Sequence, residues 1–249
     1  MINKMLIKSL HTTAPKQLRQ CLSIIQDWVY PPTCLLCGDD GSEQLDLCQP
    51  CHVRLPFYRG GCSLCAAPMP STISIKAICG ECQIRPPDFD YTHASFAYQE
   101  PIRHLIHGLK FSSRFVNARL LATLMAEQLQ TISDKPNLLI PVPLYSQRYR
   151  QRGFNQSIEL TKHLSKQLQI PYSLNSCHRI RNTIPQAELG AKQRRRNLHR
   201  TFSAQPLPSI QSIAIIDDVM TTGSTVRAIA KTFKRSGMDK IQVWVCARA

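Results

Sequence analysis

Four apolar residues in a row, Ile213-Ala214-Ile215-Ile216, run without a polar interruption into two adjacent carboxylates, Asp217 and Asp218. A run so short and uniformly apolar reads as a strand covered on both faces, and such strands lie in the middle of a parallel sheet packed between helices. The strand, 212–216, is followed by Val219 and Met220, then by hydroxyl residues around one glycine, Thr221-Thr222-Gly223-Ser224-Thr225, and then by helical pattern over 224–236. Ligands of open α/β sheets bind at the carboxyl ends of the strands. There the aspartates can accept hydrogen bonds from vicinal hydroxyls. Backbone N–H groups, threonine hydroxyls and the amino end of the helix converge on an anion. A phosphate at one end with a diol at the other describes a ribose 5-phosphate, to be held by Asp217, Asp218, Val219, Met220, Thr221, Thr222, Gly223, Ser224 and Thr225. The plainer reading is a capped helix after a strand, with Thr221 or Thr222 as N-cap. A P-loop in its usual form is excluded, because the sequence has no Gly-x-x-x-x-Gly-Lys-Ser/Thr.

The rest of the carboxyl-terminal half repeats the alternation. Strands are expected over 94–98, 138–142 and 241–247, and helices over 119–130 and 155–168. Continuous apolar strands alternating with helices predict an α/β fold with a mainly parallel sheet flanked by helices. Near the amino terminus, Leu18, Cys21, Leu22, Ile25, Trp28 and Val29 recur at helical spacing, predicting an amphipathic helix over 16–30 that Pro31-Pro32 ends. Pro86-Pro87 marks a second boundary. The expected organisation is 1–32 as an extension, 33–86 as a cysteine module and 87–249 as the α/β domain.

Eight of the 11 cysteines form four Cys-x-x-Cys pairs: Cys34/Cys37, Cys48/Cys51, Cys62/Cys65 and Cys79/Cys82. Two thiolates three positions apart on a tight turn point at one ion, and two such turns complete a tetrahedron. The order suggests one zinc on Cys34, Cys37, Cys48 and Cys51 and a second on Cys62, Cys65, Cys79 and Cys82. A crossed pairing, a single occupied site and iron–sulfur ligation are the alternatives. Gly38 and Gly80, each following a cysteine, supply flexibility for knuckle amides to turn toward sulfur. With four cysteines per ion no coordination position stays open, so the zinc is read as structural. Cys21, Cys177, Cys246 and Trp244 fit packing.

A formal net charge of +15, with 31 Lys+Arg against 16 Asp+Glu, calls for anionic partners: nucleic acid, a phosphorylated metabolite or an acidic lipid surface. No stretch approaches the roughly 20 apolar residues of a membrane-spanning helix. The first 20 residues lack the pattern of a secretory signal, so a cytoplasmic location is expected.

The stretch 213–225 resembles the signature of type I phosphoribosyltransferases, with Ser224 where many members have a second glycine. Leu139-Ile140-Pro141-Val142-Pro143-Leu144, Arg148, Arg152-Gly153-Phe154-Asn155-Gln156, Lys110-Phe111, the run 179–197 and Cys246-Ala247-Arg248 resemble the ComF competence-protein family, also called GntX-like. The resemblance covers nearly the whole chain from about residue 30. It implies a phosphoribosyltransferase-type fold with an amino-terminal double zinc ribbon. It also implies binding of phosphoribosyl pyrophosphate (PRPP) with magnesium. In that frame 143–154, with Arg148, Arg152, Gly153 and Asn155, is the pyrophosphate-side loop, since arginine forks bond phosphate oxygens bidentately. Residues 179–200 are the mobile basic loop. There Arg179, Arg181, Lys192, Arg194, Arg195 and Arg196, together with Lys110 and Arg150, would meet the diphosphate or a nucleic-acid backbone. The family's association with natural transformation implies single-stranded DNA as a partner, and work with DNA-import machinery at the cytoplasmic side of the inner membrane. The alternative is a phosphoribosyltransferase acting on an unknown base or amine acceptor. A third possibility joins them, with PRPP gating DNA binding.

Overall fold

The structure is a computed structural model that describes residues 32–42, 45–70, 77–180 and 201–249. The helix expected over 16–30 lies outside the described residues. So do Arg181, Lys192, Arg194, Arg195 and Arg196. The chain divides into two compact units between Arg54 and Leu55, inside the segment 33–86 that reads as one module in the sequence.

In the first unit the chain turns through Cys34–Gly38 and Cys48 before a short helix, α1 (Gln49–Val53). In the second unit a short helix, α2 (Gly80–Ile84), precedes β1 (Tyr91–Ala97), α3 (Ile102–Ser112), α4 (Phe115–Leu129) and β2 (Leu138–Pro141). Then follow α5 (Ser146–Arg152), α6 (Gln156–Leu168), β3 (Cys177–Arg179), β4 (Phe202–Ala204), β5 (Ser212–Met220), α7 (Ser224–Arg235) and β6 (Lys240–Arg248). Four strands form a parallel sheet in the order β1-β6-β5-β2, and β3 pairs with β4 antiparallel beside it. This is the expected class: a mainly parallel sheet with flanking helices, together with four-cysteine modules.

Strand alternation assigns each face its cover. Ile213 and Ile215 of β5, with Val243 and Val245 of β6, pack under Val226, Ile229 and Phe233 of α7. Cys62, Cys65 and Cys82 belong to this same buried cluster. Ala214, Ile216, Trp244 and Cys246 alternate with those residues and are also fully buried, as the packing reading of Trp244 and Cys246 required. Cys177 is buried likewise. Strand β5, apolar on both faces, is central as expected.

Two expectations change. The strand begun at Ser212 runs on to Met220, because pairing with β6 continues through Asp217↔Val245 and Val219↔Ala247. The acid pair therefore sits within the closing residues of the strand rather than beyond it. The stretch 143–154 is not all loop. Residues 146–152 contain no Gly, Pro or β-branched residue and form α5, which Gly153 ends at φ +77 with its N–H on the Tyr149 carbonyl at 2.7 Å.

Candidate functional site: an anion cleft at the end of the sheet

The cleft is built where β5 ends between α3, α6 and α7. A pocket of about 210 Å³ is lined by Lys110, Arg148, Arg152, Gln156, Ser157, Arg179, Asp217, Asp218 and Thr225. Adjoining it, a smaller cavity of about 40 Å³ lies inside the turn, against Asp217, Thr221, Gly223, Ser224 and Thr225. That is room for ordered water or for phosphate oxygens.

Each acid is held in place. Asp218, almost fully buried, receives the Lys110 ammonium at 2.8 Å. Lys110 therefore belongs to the site itself, from the last turn of α3, and not to a mobile basic loop. Burial acts to lower its pKa, but the charge of Asp218 and the hydrogen bond to it prevail, and the pKa is raised. Asp217 accepts from the Ser157 hydroxyl at 3.1 Å and from the Asp218 N–H at 2.9 Å. Burial, and then the neighbouring negative charge of Asp218, lift its carboxyl to about 7.

The turn is shaped by Gly223, at φ +71, where an added Cβ would lie 2.5 Å from Met220 Cε. Gly223 caps α7, in place of either threonine. The Ser224 hydroxyl accepts from Thr222 at 3.0 Å, so the side chain that replaces the second glycine is tied sideways.

Across the cleft stand Arg148, Arg152 and Arg179. Burial lowers the pKa of Arg152; Asp218 works against this, and Arg148 reinforces it. Burial and then Arg148 likewise lower that of Arg179. Mutually repelling guanidinium groups facing a cleft favour an anion between them. Arg150 is exposed and lies off the cleft lining. Gly153 acts through its backbone, which ends α5, and Asn155 through its side chain. Asn155 caps α6 by accepting from the Ser157 N–H at 3.0 Å and donates to the Val142 carbonyl at 2.9 Å. Two further residues join the site without a role assigned from sequence. Ser157 orients Asp217, and Gln156 lines the cleft with a buried Nε2 that has no hydrogen-bond partner among the described residues. Gln156 closes the Arg152–Gln156 stretch already singled out in the sequence, and Ser157 directly follows it.

The cysteines sort in sequence order. The sulfurs of Cys34, Cys37, Cys48 and Cys51 lie within 4.8 Å of one another, and so do those of Cys62, Cys65, Cys79 and Cys82. Cys37–Cys48 and Cys65–Cys79 are 3.6 and 3.7 Å apart, close to the edge of about 3.8 Å that a zinc–sulfur bond of about 2.3 Å gives a tetrahedron. Burial acts to raise the Cys62 thiol, but the amides of Cys65, Cys79 and Leu64 outweigh it and bring it to about 6. The amides of Cys48, Cys37 and Leu36 do the same for Cys34. By their sulfur geometry both donor sets fit structural zinc, four cysteines with no open position. Gly38 holds a left-handed knuckle position at φ +86, whereas in the second cluster that conformation falls to Ala66 at φ +50 and Gly80 simply opens α2.

A parallel α/β domain with an acid pair and hydroxyl turn at one strand end, carrying four-cysteine ribbons, defines the class. A family model described as a double zinc ribbon domain matches residues 25–83. The chain is 38% identical to Competence protein F of Haemophilus influenzae over 69% of its own length and 78% of that protein's. It is 33% identical to DNA utilization protein YhgH of Salmonella typhimurium over 81% of its own length and 96% of that protein's. The chain belongs to the family of Competence protein F and YhgH. A purine phosphoribosyltransferase from Pyrococcus horikoshii superposes on 53% of this chain and 83% of its own, at 17% identity and a TM-score of 0.30, too loosely to bear on fold or function. Among the described residues no helix is long and apolar enough to cross a membrane.

Proposed function

We propose that the chain serves DNA uptake in natural transformation, on the cytoplasmic side of the inner membrane, and that its cleft binds PRPP with magnesium. One observation carries the ligand reading: the cavity inside the Gly223 turn and the pocket lined by Arg148, Arg152 and Arg179 adjoin at the end of β5 and share Asp217, Val219 and Thr225. Asp217 and Asp218 accept the ribose diol, the 221–225 turn takes the 5-phosphate, and the arginines take the diphosphate with its magnesium. The names of the relatives, competence and DNA utilization, support the role in DNA uptake.

Single-stranded DNA is the macromolecular partner in this reading. Beside the cleft, Phe111 is 64% exposed with the Arg152 guanidinium 5.2 Å over its ring, and Phe115 and Tyr149 are each 47% exposed. Exposed rings among arginines suit unpaired bases, which stack on aromatic faces while the backbone meets cations.

Calorimetric titration with PRPP and magnesium tests the first part. Wild type should bind, and Asp217→Ala with Asp218→Ala should weaken binding at least about 100-fold, since both diol acceptors go. Unchanged affinity refutes the site. Pyrophosphate released in the presence of a base or amine would turn the reading toward a transferase. Binding to single strands should fall steeply with salt, and losing one phosphate contact in Arg152→Ala should lower the slope by about one.

A further inference from the structure

The 220–225 turn is flanked by two arginines, one on the strand beside it and one on the helix after it. Both reach the second four-cysteine cluster. Arg248, at the end of β6, is buried, and its Nε donates to the Cys65 carbonyl at 3.1 Å. Its Nη1 donates to the Met220 carbonyl at 2.9 Å and to that of Thr221. Arg227, in the first turn of α7, donates from Nη2 to Cys82 Sγ at 3.0 Å and from Nη1 to the Arg85 carbonyl at 2.9 Å. Its backbone N–H closes on the Gly223 carbonyl at 2.9 Å.

Peptide planarity turns these contacts into an effect on the site. In a trans peptide the C=O and the following N–H point in opposite directions. Holding the Met220 and Thr221 carbonyls toward Arg248 therefore aims the N–H groups of Thr221 and Thr222 the other way, away from the guanidinium. On the opposite side, Arg227 anchors the start of the helix whose amino end completes the anion cradle.

We propose that metal bound by Cys62, Cys65, Cys79 and Cys82 holds the 220–225 turn in its anion-accepting shape through Arg248 and Arg227; this rests on reading that turn as the phosphate end of the cleft. A metal-bound thiolate is a charged acceptor for Arg227. Bound metal ties the four sulfurs into one tetrahedron and so fixes both Cys82 Sγ and the knuckle that carries the Cys65 carbonyl; when it leaves, neither is held in place. Both arginines then lose their anchor. Arg248 and Arg227 act as positioning residues, not ligand contacts. Coupling between two sites is reciprocal, so PRPP should also strengthen retention of this metal.

The test uses full-length, zinc-loaded protein. Amide exchange over 220–225, read by mass spectrometry without ligand, should accelerate about tenfold in Cys79→Ser and in Arg248→Lys, but not in Cys37→Ser, which removes a ligand from the first cluster. Arg248→Lys guards against simple misfolding. It keeps the charge and should keep both zincs, but an ammonium cannot reproduce the fork that spans Cys65 and Met220. With PRPP and magnesium, Arg248→Lys should bind about tenfold more weakly, and the ligand should slow chelator extraction of one of the two zincs in wild type only. Unaltered exchange over 220–225 in both variants overturns the proposal. Wild type that ignores PRPP refutes the ligand reading instead, and the exchange measurement still decides the clamp.

Discussion

The two four-cysteine clusters share a motif and a sulfur geometry, yet they sit in different surroundings. In the first, Cys34, Cys48 and Leu47 are buried, while Cys37 and Val53 are exposed and α1 buries nothing. So small a segment has little core besides the ion. In the second, Cys62, Cys65 and Cys82 join Phe89, Val226, Ile229 and Phe233 in the main apolar cluster. A zinc held there would be the core of the first and one component of the core of the second. The same spacing can thus make an autonomous ribbon or a fixture of a larger domain, depending on what packs on the sulfurs.

Chelation should separate the two most. In the first cluster the free energy of binding zinc, about 10–16 kcal/mol for small zinc modules, is the folding free energy itself. Stripping metal should erase slow amide exchange over 32–54, while β5 and β6 keep theirs. Loss of protection in both together would end the distinction.

A core mutation should sharpen it from the other side. Phe233 of α7 is fully buried in the same apolar core that takes in Cys62, Cys65 and Cys82. Phe233→Ala should cost about 3–5 kcal/mol in urea denaturation of the 55–249 unit. It should also hasten release of one zinc. If both zincs leave faster, or neither does, the shared core is not what holds the second ion.

Much of this is legible in the sequence, for a physical reason. Strand β5 is apolar on both faces, which only a central strand tolerates, and Cys-x-x-Cys spacing follows directly from tetrahedral coordination. Helix α3 is legible too, although the sequence reading does not include it: Ile102, Leu105, Ile106 and Leu109 stand at helical spacing, and all are buried. The role of Lys110 depends on that helix, because only its last turn brings the ammonium to Asp218. What no pattern could give is long-range. The contacts of Arg248 with Cys65, 183 positions away, and of Arg227 with Cys82 exist only once the sheet has formed. The division of the chain at Arg54 is likewise visible only in the fold.

The smallest expected effect concerns Asp217, and it tests whether tension in the cleft belongs to the second unit alone. Its carboxyl is raised to about 7 in the folded chain, against about 3.9 in an unfolded one. Between those values the folded state binds more protons, so the stability this acid contributes falls as pH rises from about 4 and is lost above about 7. Taken whole the shift would correspond to about 4 kcal/mol, but partial exposure and relaxation reduce that to about 2 kcal/mol. Asp217→Asn keeps an oxygen acceptor for Ser157 and for the Asp218 N–H while removing the ionisation. The variant should match wild type near pH 4 and exceed it by about 2 kcal/mol at pH 8, with weaker PRPP binding, the exchange of stability for function expected at a ligand site. Exchange over 32–54 should not change at either pH. A stability difference that is flat with pH would mean Asp217 ionises freely in the fold, and that the acid pair is not held under mutual repulsion.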